Sequence, residues 1–279
     1  MEKIETPTRE GMQALVEAST TLSDAAKYYW GYMFGLAQEF IIPFLESRKI
    51  PVRDASIIEI GCAEGGNLCA MSEVGARELV GTDIAEPRLE NARIIADLLG
   101  QKITYSSHDV IYQPPFRDWL EHFDLALLRD VIEHLDDAEV ALRNIRQVLK
   151  PNGVLYVTFP PYYSPFGGHQ QTLVNWASKV PFMHLLPERV FERMIASGRP
   201  ADKVEVRRLR RIRMTTTKFR RAAKNAGYSI IDEKLYFIRP VYKMKFGLNP
   251  VSANIVRSLP VLRDVVALEA GYLLRKKEA

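Results

Sequence analysis

The stretch Ile57–Asn67 constrains the fold of this chain more than any other. It reads Ile-Ile-Glu-Ile-Gly-Cys-Ala-Glu-Gly-Gly-Asn, so a short β-branched run ends near an acid and then turns through glycines into a helix. A second apolar run, residues 78–83, closes on Asp83. This order of strand, glycine turn, helix and strand-end acid is typical of a nucleoside-binding half-site, because the acid can accept hydrogen bonds from both hydroxyls of a ribose.

The same outline fits two kinds of cofactor. A dinucleotide site reads Gly-x-Gly-x-x-Gly and places a pyrophosphate on the helix N-terminus. Here Ala63 occupies the middle glycine position, and Glu64 would repel a pyrophosphate. Glu59, two residues before Gly61, instead puts a carboxylate at the end of the strand, which suits a cationic ligand such as the ammonium group of an amino acid. These residues disfavour a nicotinamide-dependent dehydrogenase.

Three motifs in the correct order resemble the class I S-adenosylmethionine-dependent methyltransferases. Residues 57–65 match the family's glycine motif except at its middle glycine. Residues 123–135 resemble the family's fourth strand and the loop after it, and residues 149–157 resemble its turn into the fifth strand. The Glu-His-Leu sequence at 133–135 is most similar to the small-molecule branch typified by the ubiquinone-biosynthesis enzymes.

This resemblance implies an α/β fold, with a Rossmann-like, mostly parallel sheet of seven strands and helices on both faces. The alternation of strand and helix patterns agrees with such a fold. We expect an N-terminal helical segment, a cofactor-binding core, a helical lid inserted after the fifth strand, and the end of the core, over residues 1–50, 51–160, 161–214 and 215–279 respectively. The last part would hold a hairpin of two strands within residues 228–238 and an amphipathic helix over residues 255–277.

The expected elements of the core follow from hydrophobic periodicity and from turn residues. Predicted strands cover residues 57–60, 79–83, 103–107, 123–128 and 154–159. Predicted helices cover residues 10–48, 64–74, 87–99, 137–149 and 215–226.

The resemblance also implies S-adenosylmethionine as the cofactor, with S-adenosylhomocysteine as its product, and residues that bind them. Asp83 would accept from the ribose hydroxyls, and Ile84 would pack on the adenine face. Asp109 would accept from the adenine amino group, with Val110 beside it. The other candidates for cofactor binding lie in the glycine turn and at the end of the fourth strand: Glu59, Gly61, Cys62, Ala63, Gly65, Arg129 and Asp130. Asp83 and Asp109 could instead be ordinary turn or capping acids.

A methyl group on a sulfonium is already electrophilic, so such an enzyme must chiefly align the nucleophile and exclude water. If the acceptor is a hydroxyl, a general base assists, and a histidine is suited to that role near neutral pH. His169 is the first candidate because Gly167 and Gly168 give its loop freedom to reach a pocket, and His134 is the second. No metal site is expected. Four aromatic residues that could wall a substrate pocket, or simply lie in the core, are Tyr28, Tyr29, Tyr162 and Tyr163.

The segment 203–224 concentrates positive charge. It holds ten Lys or Arg residues and one acid, Glu205, in a chain whose net charge is only +4. Such a segment is either a solvated helix face or a surface that attracts anionic partners. The acceptor could therefore be an anionic or lipid-linked metabolite; nucleic acid is a partner that we do not favour, and peripheral membrane contact could come from the predicted C-terminal helix.

Composition fits an enzyme of the cytoplasm, with a membrane-peripheral position as the alternative. No secretory or transmembrane pattern is evident, and Cys62 and Cys69 form no disulfide framework. We therefore interpret the chain as an S-adenosylmethionine-dependent methyltransferase (EC 2.1.1.-), most simply an O-methyltransferase that acts on a small or lipid-linked metabolite. The alternatives are an RNA or protein methyltransferase that uses segment 203–224, and a non-catalytic nucleoside-binding module. The oligomeric state is not indicated.

Overall fold

Parallel strands and the helices that connect them form the first part of the chain. The computed structural model describes residues 9–277, without the side chain of Arg9, and these fall into two compact units that divide between Asp109 and Val110. In the first unit, the predicted strands and their connecting helices are confirmed to within about two residues. Their bounds are β1 (Ser56–Ile60), α4 (Gly66–Glu73), β2 (Glu78–Asp83), α5 (Glu86–Leu98) and β3 (Thr104–Ser107).

The strands of the first unit are all parallel, in the order β3-β2-β1. Every residue of β1 is buried, including Glu59, so this strand is covered on both faces. Ile60 is paired in register with Thr82, so the glycine turn after β1 and the acid at the end of β2 lie at the same edge of the sheet. A ligand-binding position follows from this topology, because open α/β sheets bind ligands at the carboxyl ends of their strands.

Helices precede β1, as predicted, but in separate pieces. They are α1 (Arg9–Glu17), α2 (Asp24–Leu36), a π-helical turn (Ala37–Ile41) and α3 (Ile42–Ser47). Ser23 caps α2 by accepting from the backbone N–H of Ala26 at 3.2 Å. Gly66 allows α4 to lie directly on α2, because a Cβ there would overlap the carbonyl oxygen of Trp30 and the backbone nitrogen of Phe34.

The second unit combines three strands that run in one direction with two that run in the opposite direction. The strand order is β4-β5-β8-β6-β7, and β8 is antiparallel to both of its neighbours. The α/β fold class is confirmed, with eight strands among the described residues instead of seven; the smallest, β7, has only two residues. The elements are β4 (Phe123–Arg129), α6 (Ala138–Val148), β5 (Leu149–Phe159), α7 (Glu188–Ile195), α8 (Pro200–Ile212), α9 (Thr216–Asn225), β6 (Tyr228–Ile238), α10 (Val241–Phe246), β7 (Val251–Ser252), α11 (Pro260–Val266) and β8 (Glu269–Lys276).

The predicted C-terminal amphipathic helix over residues 255–277 is wrong. Only α11 is helical there, and the chain then enters β8, where Leu273 and Leu274 are buried. Residues 269–274 of β8 are all buried, so this strand is covered on both faces and its apolar residues are consecutive rather than alternating. Such a run can be mistaken for one side of a helix. The structure thus removes the amphipathic helix on which the predicted membrane contact rested.

The predicted hairpin within residues 228–238 is also wrong. These residues form one strand, β6, which pairs with β8 over most of its length. A shift in the pairing between Ile230 and Asp232 marks an irregularity in an otherwise continuous strand. The strand that pairs with β6 along most of its length is formed by residues 269–276 instead.

Residues 161–214 contain short helices and no strand, as the sequence predicts. They have a small core of their own, so they are packed rather than extended. Its fully buried members are Leu173, Ala177, Met183, Phe191, Ile195 and Val206. No described helix is both long enough and apolar enough to cross a membrane.

Candidate active site

The glycine turn after β1 has three left-handed residues within five positions. Gly61 and Gly65 have φ values of 73° and 77°, and Ala63 between them has a φ of 49°. This conformation is strained for a residue with a Cβ, which explains why the family motif prefers a glycine at the middle position. At Gly65 an added Cβ would overlap the hydroxyl of Tyr105, so packing within the unit also requires a glycine there.

Asp83 lies at the end of β2 and holds the glycine turn. One carboxylate oxygen accepts from the backbone N–H of Ala63 at 3.0 Å, and the other accepts from the N–H of Ala85 at 2.9 Å. Each oxygen keeps a further lone pair for a ligand. Ile84 next to it is 69% exposed, which leaves an apolar side chain beside a fixed carboxylate.

Glu59 and Glu64 are both buried near the turn. Glu59 accepts a hydrogen bond of 2.5 Å from the side-chain amide of Asn67 on α4. Glu64 lies before α4 rather than in its first turn, and it faces Arg88 at 3.8 Å. Burial raises the pKa of the Glu64 carboxyl, although Arg88 opposes this shift.

The thiol of Cys62 is also buried in this turn, and burial raises its pKa well above the ordinary value. Tyr29 lies under the guanidinium of Arg88, whose central carbon is 4.9 Å from the centre of the ring. Tyr28, by contrast, is 57% exposed. Asp109 is half-buried at the end of the first unit.

Val110 begins the second unit and is buried, and its carbonyl oxygen accepts from the side-chain amide of Asn144 at 2.8 Å. Arg129 is buried at the end of β4. Asp130 follows it with a φ of 53° and accepts from the Arg239 guanidinium at 2.6 Å. Burial alone would raise the pKa of Asp130, but Arg239 and Arg129 lower it below its ordinary value.

Arg239 binds two carboxylates, the half-buried Asp130 and the buried Glu269. Besides Asp130, its guanidinium donates to Glu269 of β8 at 3.0 Å. Burial raises the pKa of Glu269, and Arg239 opposes that shift. Arg239 and Glu269 carry no sequence signal, because each is a single charged residue far along the chain from the motifs.

Glu133, His134 and His169 meet in the second unit. The Nε2 atoms of both histidines lie 3.7 Å from Oε1 of Glu133, and the ring centres are 4.9 Å apart. Glu133 is 2% exposed, and neither of its carboxylate oxygens accepts a hydrogen bond from any residue between 9 and 277. Nδ1 of His134 is hydrogen-bonded to the carboxylate of Glu205 on α8.

The three side chains are in different electrostatic states. Burial raises the pKa of Glu133 to about 8, although His134 opposes this shift. Burial, and secondly the charge of His134, lower the pKa of His169 to about 3. Burial alone would lower the pKa of His134, but Glu205 and Glu133 raise it above its ordinary value.

The reason given for His169 needs correction. Gly167 and Gly168 are both buried, and they serve close packing rather than freedom of the loop. A Cβ on Gly167 would overlap the carbonyl oxygen of Pro161, and one on Gly168 would overlap the side chain of His184. His169 has a left-handed φ of 54°, so its loop is held in a specific shape that directs the ring toward Glu133.

Tyr162 and Tyr163 differ in their surroundings. Tyr162 is 3% exposed, and its hydroxyl donates to the carbonyl oxygen of His184 at 3.1 Å. Nε2 of His184 in turn hydrogen-bonds the carbonyl oxygen of Tyr162 at 2.6 Å. Tyr163 packs edge-on against Tyr162 and is 37% exposed.

Comparison with known proteins agrees with these motifs. The methyltransferase-domain family matches residues 29–233. The chain belongs to the class I S-adenosylmethionine-dependent methyltransferases. The cofactor of this family is S-adenosylmethionine.

Relatives and solved structures extend this result. The ubiquinone biosynthesis O-methyltransferase of Chelativorans sp. is 33% identical over 108 residues, which are 38% of this chain and 41% of that protein. The chain thus matches about two fifths of the length of such curated relatives. An S-adenosylmethionine-dependent methyltransferase from Mesorhizobium loti is 16% identical with a TM-score of 0.53, over 84% of this chain and 96% of that one. A putative sarcosine dimethylglycine methyltransferase from Galdieria sulphuraria is 14% identical with a TM-score of 0.56, over 87% and 85%. At these identities the solved structures show the fold alone.

The basic segment 203–224 is largely paired within the second unit of this methyltransferase. Arg207 pairs with Glu192, and both Arg208 and Arg211 pair with Asp136. The remaining cations with partners are bonded to carbonyl oxygens or carboxylates: Lys203, Arg210, Arg213, Lys218 and Arg220. Eight of the ten cations of this segment thus have partners within the second unit.

Glu205 is the functional residue that sequence reasoning missed most clearly. It is the only acid in segment 203–224, which was the one available signal. Its meaning could not be read from the sequence, because Glu205 and His134 are 71 positions apart.

Proposed function

We propose that this methyltransferase transfers a methyl group to a hydroxyl of a small-molecule acceptor, and that His134 and its neighbours receive the proton of that hydroxyl. One observation carries the proposal: Glu205 binds Nδ1 of His134 and thereby directs Nε2 toward Glu133 and His169. A carboxylate that fixes one imidazole nitrogen so that the other can accept a proton is the usual arrangement of a general base. S-Adenosylmethionine supplies the electrophilic methyl group when it is bound.

The first unit would bind the nucleoside part of the cofactor. Asp83 would accept from the ribose hydroxyls with the lone pairs that Ala63 and Ala85 leave, and Ile84 would cover the adenine. Glu59 and the backbone of the turn would face the methionine part: Gly61, Cys62, Ala63 and Gly65. Asp109 would accept from the adenine amino group.

By the family resemblance, Val110 would lie beside the adenine, and Arg129 and Asp130 would face the methionine part of the cofactor. Asp130 is fixed by Arg239, so its carboxylate is held in one orientation. Residues 161–214 would act as the lid, and four tyrosines would line the acceptor side: Tyr28, Tyr29, Tyr162 and Tyr163. Tyr163 is the better candidate of the second pair because Tyr162 already uses its hydroxyl within the packed segment.

The hydroxyl as acceptor is supported by the curated relative, which is named an O-methyltransferase of ubiquinone biosynthesis. It is also supported by the presence of a base, which a hydroxyl needs more than a neutral amine does. RNA methylation has less support, because eight of the ten cations of segment 203–224 have partners within the second unit.

The test is transfer of a labelled methyl group from S-adenosylmethionine to a panel of phenols, aliphatic alcohols, phosphorylated sugars, lipid-linked phenols, amines and an RNA oligonucleotide. We expect one class of hydroxyl compound to be labelled. With that acceptor, His134→Gln should lower kcat by about 10²- to 10⁴-fold, while the affinity for S-adenosylhomocysteine is unchanged.

Glu205→Gln is the matched variant for the positioning role. It should lower kcat less than His134→Gln does and should shift the pH profile of kcat, because the amide no longer stabilises the protonated ring. Labelling of amines alone would contradict O-methylation. Wild-type kcat in His134→Gln would contradict the role of His134.

A further inference from the structure

Glu133, His134 and His169 place three metal-ligating groups around one point. One ligand atom from each lies within 4.8 Å of the other two. The two distances of 3.7 Å between the histidine Nε2 atoms and Glu133 are too long for hydrogen bonds. They are close to the separation of about 3.4 Å expected for two ligands that each lie about 2.1 Å from a tetrahedral cation.

The burial of Glu133 is the second, independent observation. Its side chain is almost fully enclosed, yet neither oxygen accepts a hydrogen bond from any described residue. A buried carboxylate without hydrogen-bond partners either takes up a proton or is stabilised by a cation or a bound metal ion. A divalent cation between the three side chains would supply that charge.

The contact with Glu205 completes the pattern. Histidines that bind a metal generally give the proton of their other ring nitrogen to a carboxylate, which fixes the tautomer and the ring orientation. Glu205 holds Nδ1 of His134 in this manner, so the lone pair of Nε2 faces the centre of the cluster. His169 is directed to the same point by its left-handed backbone.

We propose that Glu133, His134 and His169 bind a divalent transition-metal cation. Two imidazoles and one carboxylate favour Zn²⁺ or a neighbouring first-row ion over Mg²⁺, which prefers oxygen ligands. Three protein ligands leave at least one coordination position open, as in catalytic rather than structural zinc sites.

A role for this cation in catalysis rests on the proposed function. A hydroxyl at the open position would lose its proton more readily, because a bound divalent cation lowers the pKa of an oxygen ligand. In this metal-bound state His134 acts as a ligand and the proton of the hydroxyl passes to bulk water, whereas in the metal-free mechanism His134 takes the proton itself. Metal binding does not depend on methyl transfer, so the two proposals can fail separately.

The experiment is calorimetric titration of the full chain, freed of metal with a chelator, with ZnCl₂ and separately with MgCl₂. We expect one Zn²⁺ per chain and at least tenfold weaker binding of Mg²⁺. Glu133→Gln and His169→Asn should each weaken Zn²⁺ binding at least tenfold. Glu205→Gln should weaken it by about 10- to 100-fold, the usual effect of removing a carboxylate behind a histidine ligand.

His122→Asn is the matched control, because His122 is in the same unit and is not one of the three cluster side chains. It should bind Zn²⁺ as the wild type does. Visible absorption of bound Co²⁺ would report the ligand geometry without any activity assay, and urea unfolding would confirm that each variant is folded. Absence of Zn²⁺ binding in the wild type, or binding that Glu133→Gln and His169→Asn leave unchanged, would overturn the metal site while leaving the methyltransferase proposal intact.

Discussion

Asp83 and Glu59 of the first unit are held differently from Asp130 and Glu133 of the second. In the first unit, Asp83 accepts from two backbone N–H groups and Glu59 accepts from an amide side chain. In the second unit, Asp130 is paired with the guanidinium of Arg239, and Glu133 faces two histidines. Neutral backbone and amide donors hold a carboxylate without adding charge. Ionisable partners instead make the charge state of each carboxylate depend on the charge states of its neighbours. We therefore expect the second unit to respond more strongly to single charge changes and to pH.

The largest expected effect is at Arg239. Replacing it by Met leaves the buried Glu269 without its cation and Asp130 without its partner, and breaking a buried pair in this way costs about 3–5 kcal/mol. Urea unfolding at pH 7 should show a loss of that size in the free energy of unfolding. Arg239→Lys, which keeps the charge but not the two-sided geometry, should lose less. A loss below about 1 kcal/mol for Arg239→Met would mean that the second unit is not organised by this pair.

The corresponding substitution in the first unit is Asp83→Ala, and the property expected to decrease is the affinity for the ligand. Asp83→Ala should weaken the binding of S-adenosylhomocysteine about 100-fold, because two hydrogen bonds to a charged group are removed at about 1.5 kcal/mol each. Calorimetry measures this directly. Asp97→Ala, an exposed acid on α5, is the control and should bind normally. Equal affinities in both variants would show that Asp83 only supports the turn.

The difference between the units also explains what the sequence could predict. The first unit is local: Gly61, Gly65 and Asp83 act within 23 positions, and hydrophobic runs define the strands around them. The second unit is assembled from distant parts. Glu205 reaches His134 across 71 positions, and Arg239 reaches Asp130 across 109. A motif marks one member of each pair, and only the folded chain shows the other.

The prediction for the C-terminal part of the chain was wrong for a related reason. Burial on both faces of β8 removes the alternation that normally identifies a strand, so Tyr272, Leu273 and Leu274 carry no periodic signal. Gly168 shows the same limit at the scale of a single residue. From the sequence, Gly168 predicts a freely moving loop. In the structure a glycine is required there because a Cβ would overlap the side chain of His184, 16 positions later.

His184 gives a smaller, pH-dependent effect. Burial lowers its pKa to about 4 in the folded chain, against about 6.5 when unfolded. Between these values the unfolded chain binds a proton that the folded chain does not, so stability is full above pH 6.5 and is lost as the pH falls toward 4. From pH 7.5 to 5.5 this contributes a loss of roughly 1 kcal/mol.

Urea unfolding of the wild type and of His184→Gln at pH 7.5 and 5.5 checks this contribution. The variant cannot take up the proton, so its stability should fall less over this interval than that of the wild type. Equal slopes in the two proteins would show that the histidine titrates alike in the folded and unfolded chains, and that the segment 161–214 does not enclose it.

The smallest expected effect is at Arg207, and it tests whether an exposed ion pair stabilises the fold as much as a buried one does. Arg207 and Glu192 form a two-sided pair, with contacts of 2.9 and 2.5 Å, but Arg207 is half exposed. Water and salt screen such a pair, so Arg207→Met should lower the free energy of unfolding by less than about 1 kcal/mol, and added NaCl should reduce the difference further. Urea unfolding at low and high salt makes the comparison with Arg239→Met under identical conditions. If Arg207→Met were as damaging as Arg239→Met, the number of ion pairs rather than their burial would determine the stability of the second unit, and the contrast between the two units would have to be explained by packing instead.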